Sequence, residues 1–293
     1  MTLKSLIFGA AGAVLIASGA QAQLPPGWSA PGEPLKIAEN LHYVGTQTIA
    51  VYLITTPEGH ILVDGAMPTS APLILASIRE LGFDPADVKV ILNTHAHFDH
   101  TGGLADLKAA TGAALAASEG DRSALESGTY VGSEEVETFA FKPVAVDRVL
   151  KDGDTFELGG MALTAHLTPG HSPGCTTWTF PLVVDGQTRQ ASSPILIYCS
   201  TSVAANRLVS ADKGPQYPGI VADYEQTFAR LKTMSADVFL APHAEQFGLA
   251  KKRAAMGEGA PNPFVDPTEL QKVVAVSEAA FRAALAKQQE AAQ

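Results

Sequence analysis

Cysteine is nearly absent from this chain: Cys175 and Cys199 are the only two in 293 residues. Neither has a C-x-x-C partner, so nothing points to the closed, thiolate-rich sites that hold structural metals. Basic residues are also scarce. Lys and Arg total 20 against 30 Asp and Glu, for a formal net charge of −10. That balance argues against nucleic acid as a partner, because phosphate binding needs a basic patch. Long hydrophobic runs are missing except at the start, where the stretch from Leu6 to Ile16 is too short to span a bilayer. There is no low-complexity segment, and no internal repeat can be aligned.

What the start does contain is a basic head at Lys4, the short apolar middle, and small residues ending in Ala20-Gln21-Ala22. These are the parts of a secretory signal with an A-x-A cleavage site. Residues 1–22 are therefore expected to be removed, leaving 23–293 as one domain in the periplasm with no membrane span. A monomer is expected. Disulfides persist in exported proteins. Cys175 and Cys199 each begin or end an apolar strand-like run, so neighbouring strands are expected to bring them together as a bridge.

Residues 23–37, rich in Pro and Gly, read as an extended arm, with Trp28 either packed on the domain or lining a cleft mouth. Strands are expected at Leu41–Val44, Ala50–Thr55, His60–Asp64 and Val88–Leu92, and helices at Ala71–Gly82 and about Gly103–Thr111. Glu119 to Pro143 is polar and poorly periodic and reads as a long loop near the site. Strands return at Val146–Leu150, Asp154–Leu158, Met161–Leu167, Thr176–Phe180 and Ile195–Cys199. A helix over Tyr224–Thr233, a strand over Ala236–Leu240 and an amphipathic helix from about 267 to 288 complete the chain. The halves echo each other as strands, a polar loop and a helix. That repetition implies an α+β fold, a four-layer αββα sandwich.

The chemistry concentrates in Asn93–Gly103, where His95, His97, Asp99 and His100 fall within six residues at the end of an apolar strand. Imidazole and carboxylate are the ligand types zinc accepts, and a loop lets such side chains converge on two metals. Thr101-Gly102-Gly103 is expected to let the backbone turn tightly into a helix. His171, framed by Gly170, Pro173 and Gly174, and His243, after Pro242 at a strand end, complete a set of five His and one Asp. Such a set suffices for two metals with three protein ligands each, and three ligands leave the open position that catalytic zinc requires. Paired zinc ions make a hydroxide nucleophile at neutral pH, so the residues point to metal-assisted hydrolysis. His42, His60 and His166 sit in strand contexts and read as structural. Two covalent alternatives are weaker. Gly170-His171-Ser172-Pro173-Gly174 fits a nucleophile elbow but is followed by a strand where that motif needs a helix. Ser210-Ala211-Asp212-Lys213 fits Ser-x-x-Lys, but no Ser-Asp-Asn or Lys-Thr-Gly accompanies it.

His-Ala-His-Phe-Asp-His, then Gly-His-Ser-Pro-Gly and a late Pro-His, resemble the metallo-β-lactamase superfamily. Leu53–Leu62, Asp147–Asp154 and Leu163–His171 resemble the third subclass of its zinc β-lactamases. That resemblance implies the αββα fold and two Zn2+ per chain, one on His95, His97 and His171 and one on Asp99, His100 and His243. A histidine after the Asp distinguishes the third subclass, since the first two hold their second metal with Asp, Cys and His. Cys199 lies close to the first subclass's thiolate position, so that rival assignment stays open. The resemblance further implies that a zinc-bridging hydroxide opens the β-lactam ring of penicillins, cephalosporins and carbapenems. Asp99 would position that nucleophile, Ser200 and Ser202 would bind the substrate carboxylate, and Asp64 would brace the ligand loop. Where the subclass often has Pro-Gly-Tyr soon after these serines, this chain has Val203-Ala204-Ala205-Asn206-Arg207. Lactonases and thioester hydrolases of the same fold typically carry a metal-bridging Asp where this chain has Cys199-Ser200. A catalytically idle zinc binder is the alternative from another class.

Overall fold

A computed structural model describes residues 24–181, 183–184, 187–188 and 194–293. The expected signal over 1–22 lies outside the described residues. Among them, no helix is long and apolar enough to cross a membrane.

Two sheets pack face to face. The first holds β1 (Leu35–Ala38), β2 (Leu41–Tyr43), β3 (Tyr52–Thr56), β4 (Gly59–Val63), β5 (Val88–Leu92), β6 (Ala114–Ser118) and β7 (Arg148–Leu150), in that order. Its first four strands form an antiparallel meander, whereas β4 to β7 are parallel. Parallel neighbours need crossovers, and here they carry α1 (Ala71–Glu80), α2 (Phe98–Thr101), α3 (Leu104–Thr111) and α4 (Glu119–Ser127). The second sheet comes from β8 (Thr155–Leu158), β9 (Met161–Leu167), β10 (Thr176–Phe180), a short hairpin β11 (Val183–Val184) and β12 (Gln187–Thr188) lying outside it, β13 (Ile195–Ile197) and β14 (Val238–Leu240). Its order is β14-β13-β10-β9-β8. Then α5 (Ile220–Leu231), α6 (Leu249–Ala254) and α7 (Glu269–Ala291) cover its outer face.

Alternation along each strand divides the core. Tyr52, Ile54, Ile61, Val63, Val90 and Leu92 point towards the second sheet, while Leu53, Leu62, Ile91 and Leu115 point towards α1 and α3. The outcome is the expected αββα sandwich. Phe281 of α7 packs on Tyr224 and Phe228 of α5 at centroid distances of 4.9 and 5.5 Å. Burying such a side chain contributes about 1.5–3 kcal/mol.

Several expectations need correction. Glu119–Pro143 is not one long loop, because its first nine residues form α4. The arm is not extended throughout: Pro26–Trp28 is a 3-10 turn and Leu35 already lies in β1. Gly102 and Gly103 have ordinary helical φ values of −55° and −86°, so conformational freedom is not their role. A Cβ on Gly102 would lie 2.3 Å from Pro68 N, and one on Gly103 2.3 Å from Gly65 O. Glycine is needed there because the 64–68 segment runs directly over the turn.

Candidate metal centre

Three strand ends at one rim of the sandwich deliver the candidate ligands. β5 runs into the loop of His95 and His97 and on into α2, which carries Asp99 and His100. The β9–β10 connection carries His171, and β14 ends just before His243. Cross-sheet hydrogen bonds fix these ends relative to each other. Thr176 N donates to Thr94 O at 2.8 Å, and Ala50 N donates to Pro242 O at 2.8 Å. The Tyr52 hydroxyl donates to Ala241 O at 2.6 Å.

The six residues gather as two groups of three. The side-chain donor atoms within each group, His95–His97–His171 and Asp99–His100–His243, lie within 4.8 Å of one another. In the second group, His100 Nε2 is 3.2 Å from His243 Nε2, and Asp99 Oδ2 is 3.3 and 3.5 Å from those nitrogens. Tetrahedral ligands bound to zinc at 2.0–2.1 Å must be separated by about 3.3 Å. The observed spacing fits a single small cation. In the first group His95 Nε2 is fully buried with no hydrogen-bond partner among the described residues. Buried polar atoms are rarely left so, and a metal would satisfy this one. Both clusters therefore suit a divalent metal.

Neighbours set the tautomers that ligation needs. The Thr94 hydroxyl donates to Asp64 Oδ2 at 2.6 Å and lies 3.0 Å from His95 Nδ1. Its one hydrogen is committed to the carboxylate, so His95 Nδ1–H donates to it and Nε2 keeps its lone pair. His171 Nδ1 donates to Ser202 O at 2.6 Å, which frees its Nε2 in the same way. Burial holds His95 and His97 well below the usual imidazole range and lowers His171 to about 4. All three are neutral, as ligands must be. Burial alone would raise Asp99, but His100 and His243 facing it hold the carboxyl well below its usual range. Asp99 in turn raises His100 against its burial. In the second group the carboxylate and the imidazole of His100 thus favour each other's charged forms.

Asp64 directly follows β4. It accepts from Asn93 Nδ2 at 3.0 Å and Thr94 N at 2.7 Å, besides the Thr94 hydroxyl. It does so at φ +67°, with Ala66 at +53°, a strained backbone of the kind that gathers at functional sites. Burial pushes Asp64 up to about 6.

Ser200 is buried, and its Oγ accepts from Ser202 N at 3.2 Å. Ser202 is exposed at the mouth, but its backbone carbonyl orients His171 and also accepts from Tyr224 Oη at 2.8 Å. Cys199 is bonded to Cys175 with a Cα separation of 5.8 Å, as the expected bridge required. That bond removes Cys199 as a thiolate ligand. His42 and His60 pack against Phe83 at 5.1 Å each, and His166 lies between Thr179 and Arg230; none of the three belongs to either ligand group. Trp28 both packs and lines the mouth, 6.1 Å from Phe98 and 5.6 Å from His243 between centroids.

Three contributors escaped the sequence. Tyr130 stacks on His97 at 4.2 Å and donates to Asn206 at 2.9 Å, while Asn206 donates to His171 O at 2.9 Å. Asp121 accepts hydrogen bonds from both ligand loops. Only the departure from Pro-Gly-Tyr near Asn206 marked any of these positions in advance.

The metallo-β-lactamase superfamily profile matches residues 44–183. Among solved structures, the chain is similar to BJP-1, a subclass B3 metallo-β-lactamase of Bradyrhizobium japonicum. The identity is 50% and the TM-score 0.87, over 92% of this chain and 99% of that one. Among curated sequences it is 32% identical over 113 residues to a hydroxyacylglutathione hydrolase of Rhodospirillum rubrum, covering 39% of this chain and 36% of that protein. It is also 29% identical over 151 residues to the N-acyl homoserine lactonase AttM of Agrobacterium fabrum, covering 43% and 57% respectively. The chain thus spans between about a third and three fifths of these curated relatives, but nearly all of the solved structure.

Proposed function

The chain belongs to the metallo-β-lactamase superfamily, and from that premise we propose that it is a periplasmic di-zinc hydrolase opening the β-lactam ring of penicillins, cephalosporins and carbapenems. The observation that carries the reading is the convergence of Asp99, His100 and His243 at 3.2–3.5 Å. The histidine after Asp99 completes a second metal group without cysteine.

In this reading His95, His97 and His171 hold one Zn2+, and Asp99, His100 and His243 hold the other. Bound there, the pair supplies Lewis acidity and ionises a water at neutral pH. The chain's own residues do the rest. Asp99, kept ionised by its histidine partners, orients the attacking water. Thr94, held by Asp64, and the Ser202 carbonyl hold His95 and His171 in the tautomers that present Nε2 inwards. The hydroxyl of Ser202, exposed at the mouth, binds the substrate carboxylate. Ser200, whose Oγ already accepts from Ser202 N, keeps its own proton to donate. Half-buried Trp28 and Phe139, backed by the buried rings of Phe98 and Tyr130, offer apolar surface to the rest of the substrate.

Hydrolysis of a lactone or thioester is the second reading, favoured by the names of the curated relatives. Against it, the position where such enzymes carry a bridging Asp holds a cysteine tied in a disulfide. Nitrocefin turnover measured with and without chelator separates the readings. Turnover that chelator abolishes and zinc restores is expected. His97→Ala and His243→Ala should each bring it to background and lower bound zinc. Lactone hydrolysis without nitrocefin turnover would support the rival, and no turnover of either would leave an idle zinc binder.

A further inference from the structure

The first ligand group is assembled from two loops on different sheets, and a carboxylate outside the ligand set joins them. We infer that Asp121 is a positioning residue that sets the placement of His95 and His97 relative to His171 and thereby the metal affinity of that group. The inference rests on reading those three histidines as metal ligands.

Asp121 lies in the first turn of α4 and is 1% exposed. Its Oδ2 accepts from Ala96 N at 2.9 Å and from Ser172 Oγ at 2.8 Å, and its Oδ1 accepts from Gly174 N at 2.9 Å. Ala96 stands between His95 and His97, and Ser172 directly follows His171. One carboxylate therefore holds both ligand loops by their backbone and adjoining side chain, and none of these three hydrogen bonds goes to a ligand ring.

The surroundings leave α4 little freedom to shift. The Ser118 hydroxyl donates to Gly174 O at 2.6 Å. A Cβ on Gly120 would lie 2.5 Å from Pro173 O, and one on Gly174 2.3 Å from Asp121 N. The start of the helix is thus pressed onto the second ligand loop, and only glycine permits it. Asp64 differs in reach, since its bonds go to Asn93 and Thr94 on the first loop alone. Three donors converge on Asp121, and a carboxylate, being acceptor-only, can satisfy them all. An asparagine offers one accepting oxygen and turns its amide hydrogens towards a donor. Groups that orient ligands in this way typically change metal affinity by about 10–100-fold when altered.

Two backgrounds of the full mature chain isolate the clusters. His100→Ala with His243→Ala keeps the first group, and His97→Ala with His171→Ala keeps the second. Zinc affinity of each is read by competition with a chromophoric chelator, with and without Asp121→Asn. The expected result is zinc binding weakened about 10–100-fold at the first group and unchanged within about twofold at the second. Ser172→Ala, which removes one arm of the brace, should weaken the first group in the same selective way by a smaller factor, and it decides the question if Asp121→Asn does not fold. A general structural role would weaken both groups alike, and that result, or no change in either, overturns the inference alone. Parent backgrounds that bind no zinc overturn the ligand reading and this inference with it.

Discussion

Thr94→Val tests the tautomer argument with almost no change of shape. The substitution swaps a hydroxyl for a methyl at a residue that is 1% exposed. Two hydrogen bonds disappear, one from the hydroxyl to Asp64 Oδ2 and one to it from His95 Nδ1. His95 is 0% and Asp64 2% exposed, so water does not replace either partner readily. Each buried group left unpaired costs about 1–3 kcal/mol, giving about 2–6 kcal/mol before relaxation. That is a large part of a typical domain stability of about 5–15 kcal/mol. The second effect is on chemistry. Without an acceptor, nothing holds the His95 proton on Nδ1, so the ring no longer presents a fixed lone pair at Nε2. Zinc affinity should fall by about 10–100-fold, as for other residues that orient metal ligands. Urea unfolding and chelator competition measure the two quantities, and Thr94→Ser, which keeps the hydroxyl, serves as control. The reasoning is refuted if Thr94→Val matches the native chain in both, or if Thr94→Ser loses as much as Thr94→Val.

How far the sequence reached follows from what each element buries. β9 and β10 have the expected bounds because alternation and β-branched residues mark them directly. The six candidate ligands were legible as residue types, and the pairing of His100 with His243 followed from the resemblance. α4 was hidden because its inward side is short and partly ionic: Asp121, Ala124 and Leu125 are its buried residues. Asp121 looks like solvent-facing charge until two distant loops supply its donors. β6, Ala-Leu-Ala-Ala-Ser, lacks the β-branched signature, and its strand character comes from parallel pairing with β5 and β7. A second role of Ser202 is not legible in the sequence for a different reason. Its backbone carbonyl does the orienting, and carbonyls carry no residue code. Trp28 was undecided between packing and the mouth because its contacts with Phe98 and His243 span the chain.

Two further perturbations act on stability rather than on metal. Cys175→Ala with Cys199→Ala opens a bridge across a sequence separation of 24, and the chain-entropy estimate for such a loop is about 3.5 kcal/mol. Urea unfolding should show a loss of that order, and a loss below about 1 kcal/mol would contradict it. The last prediction concerns acid. His42 is 4% exposed, and burial is the main cause lowering its pKa from 6.5 to about 4. The folded chain therefore keeps the ring neutral where the unfolded chain protonates it. As pH falls below about 6.5 the unfolded state binds the extra proton, so stability declines from there to about 4 and levels off below. Above about pH 7.5 the ring is neutral in both states and contributes no pH dependence. The full effect is about 3 kcal/mol. His42→Phe, which keeps a ring against Phe83, removes this titration while leaving every other group in place. The difference in unfolding free energy between His42→Phe and the native chain should therefore shift by about 3 kcal/mol between pH 7.5 and pH 4 in favour of the variant. Parallel stability curves over that range would mean that His42 is protonated as readily in the fold as outside it, and that its burial against Phe83 does not keep it neutral.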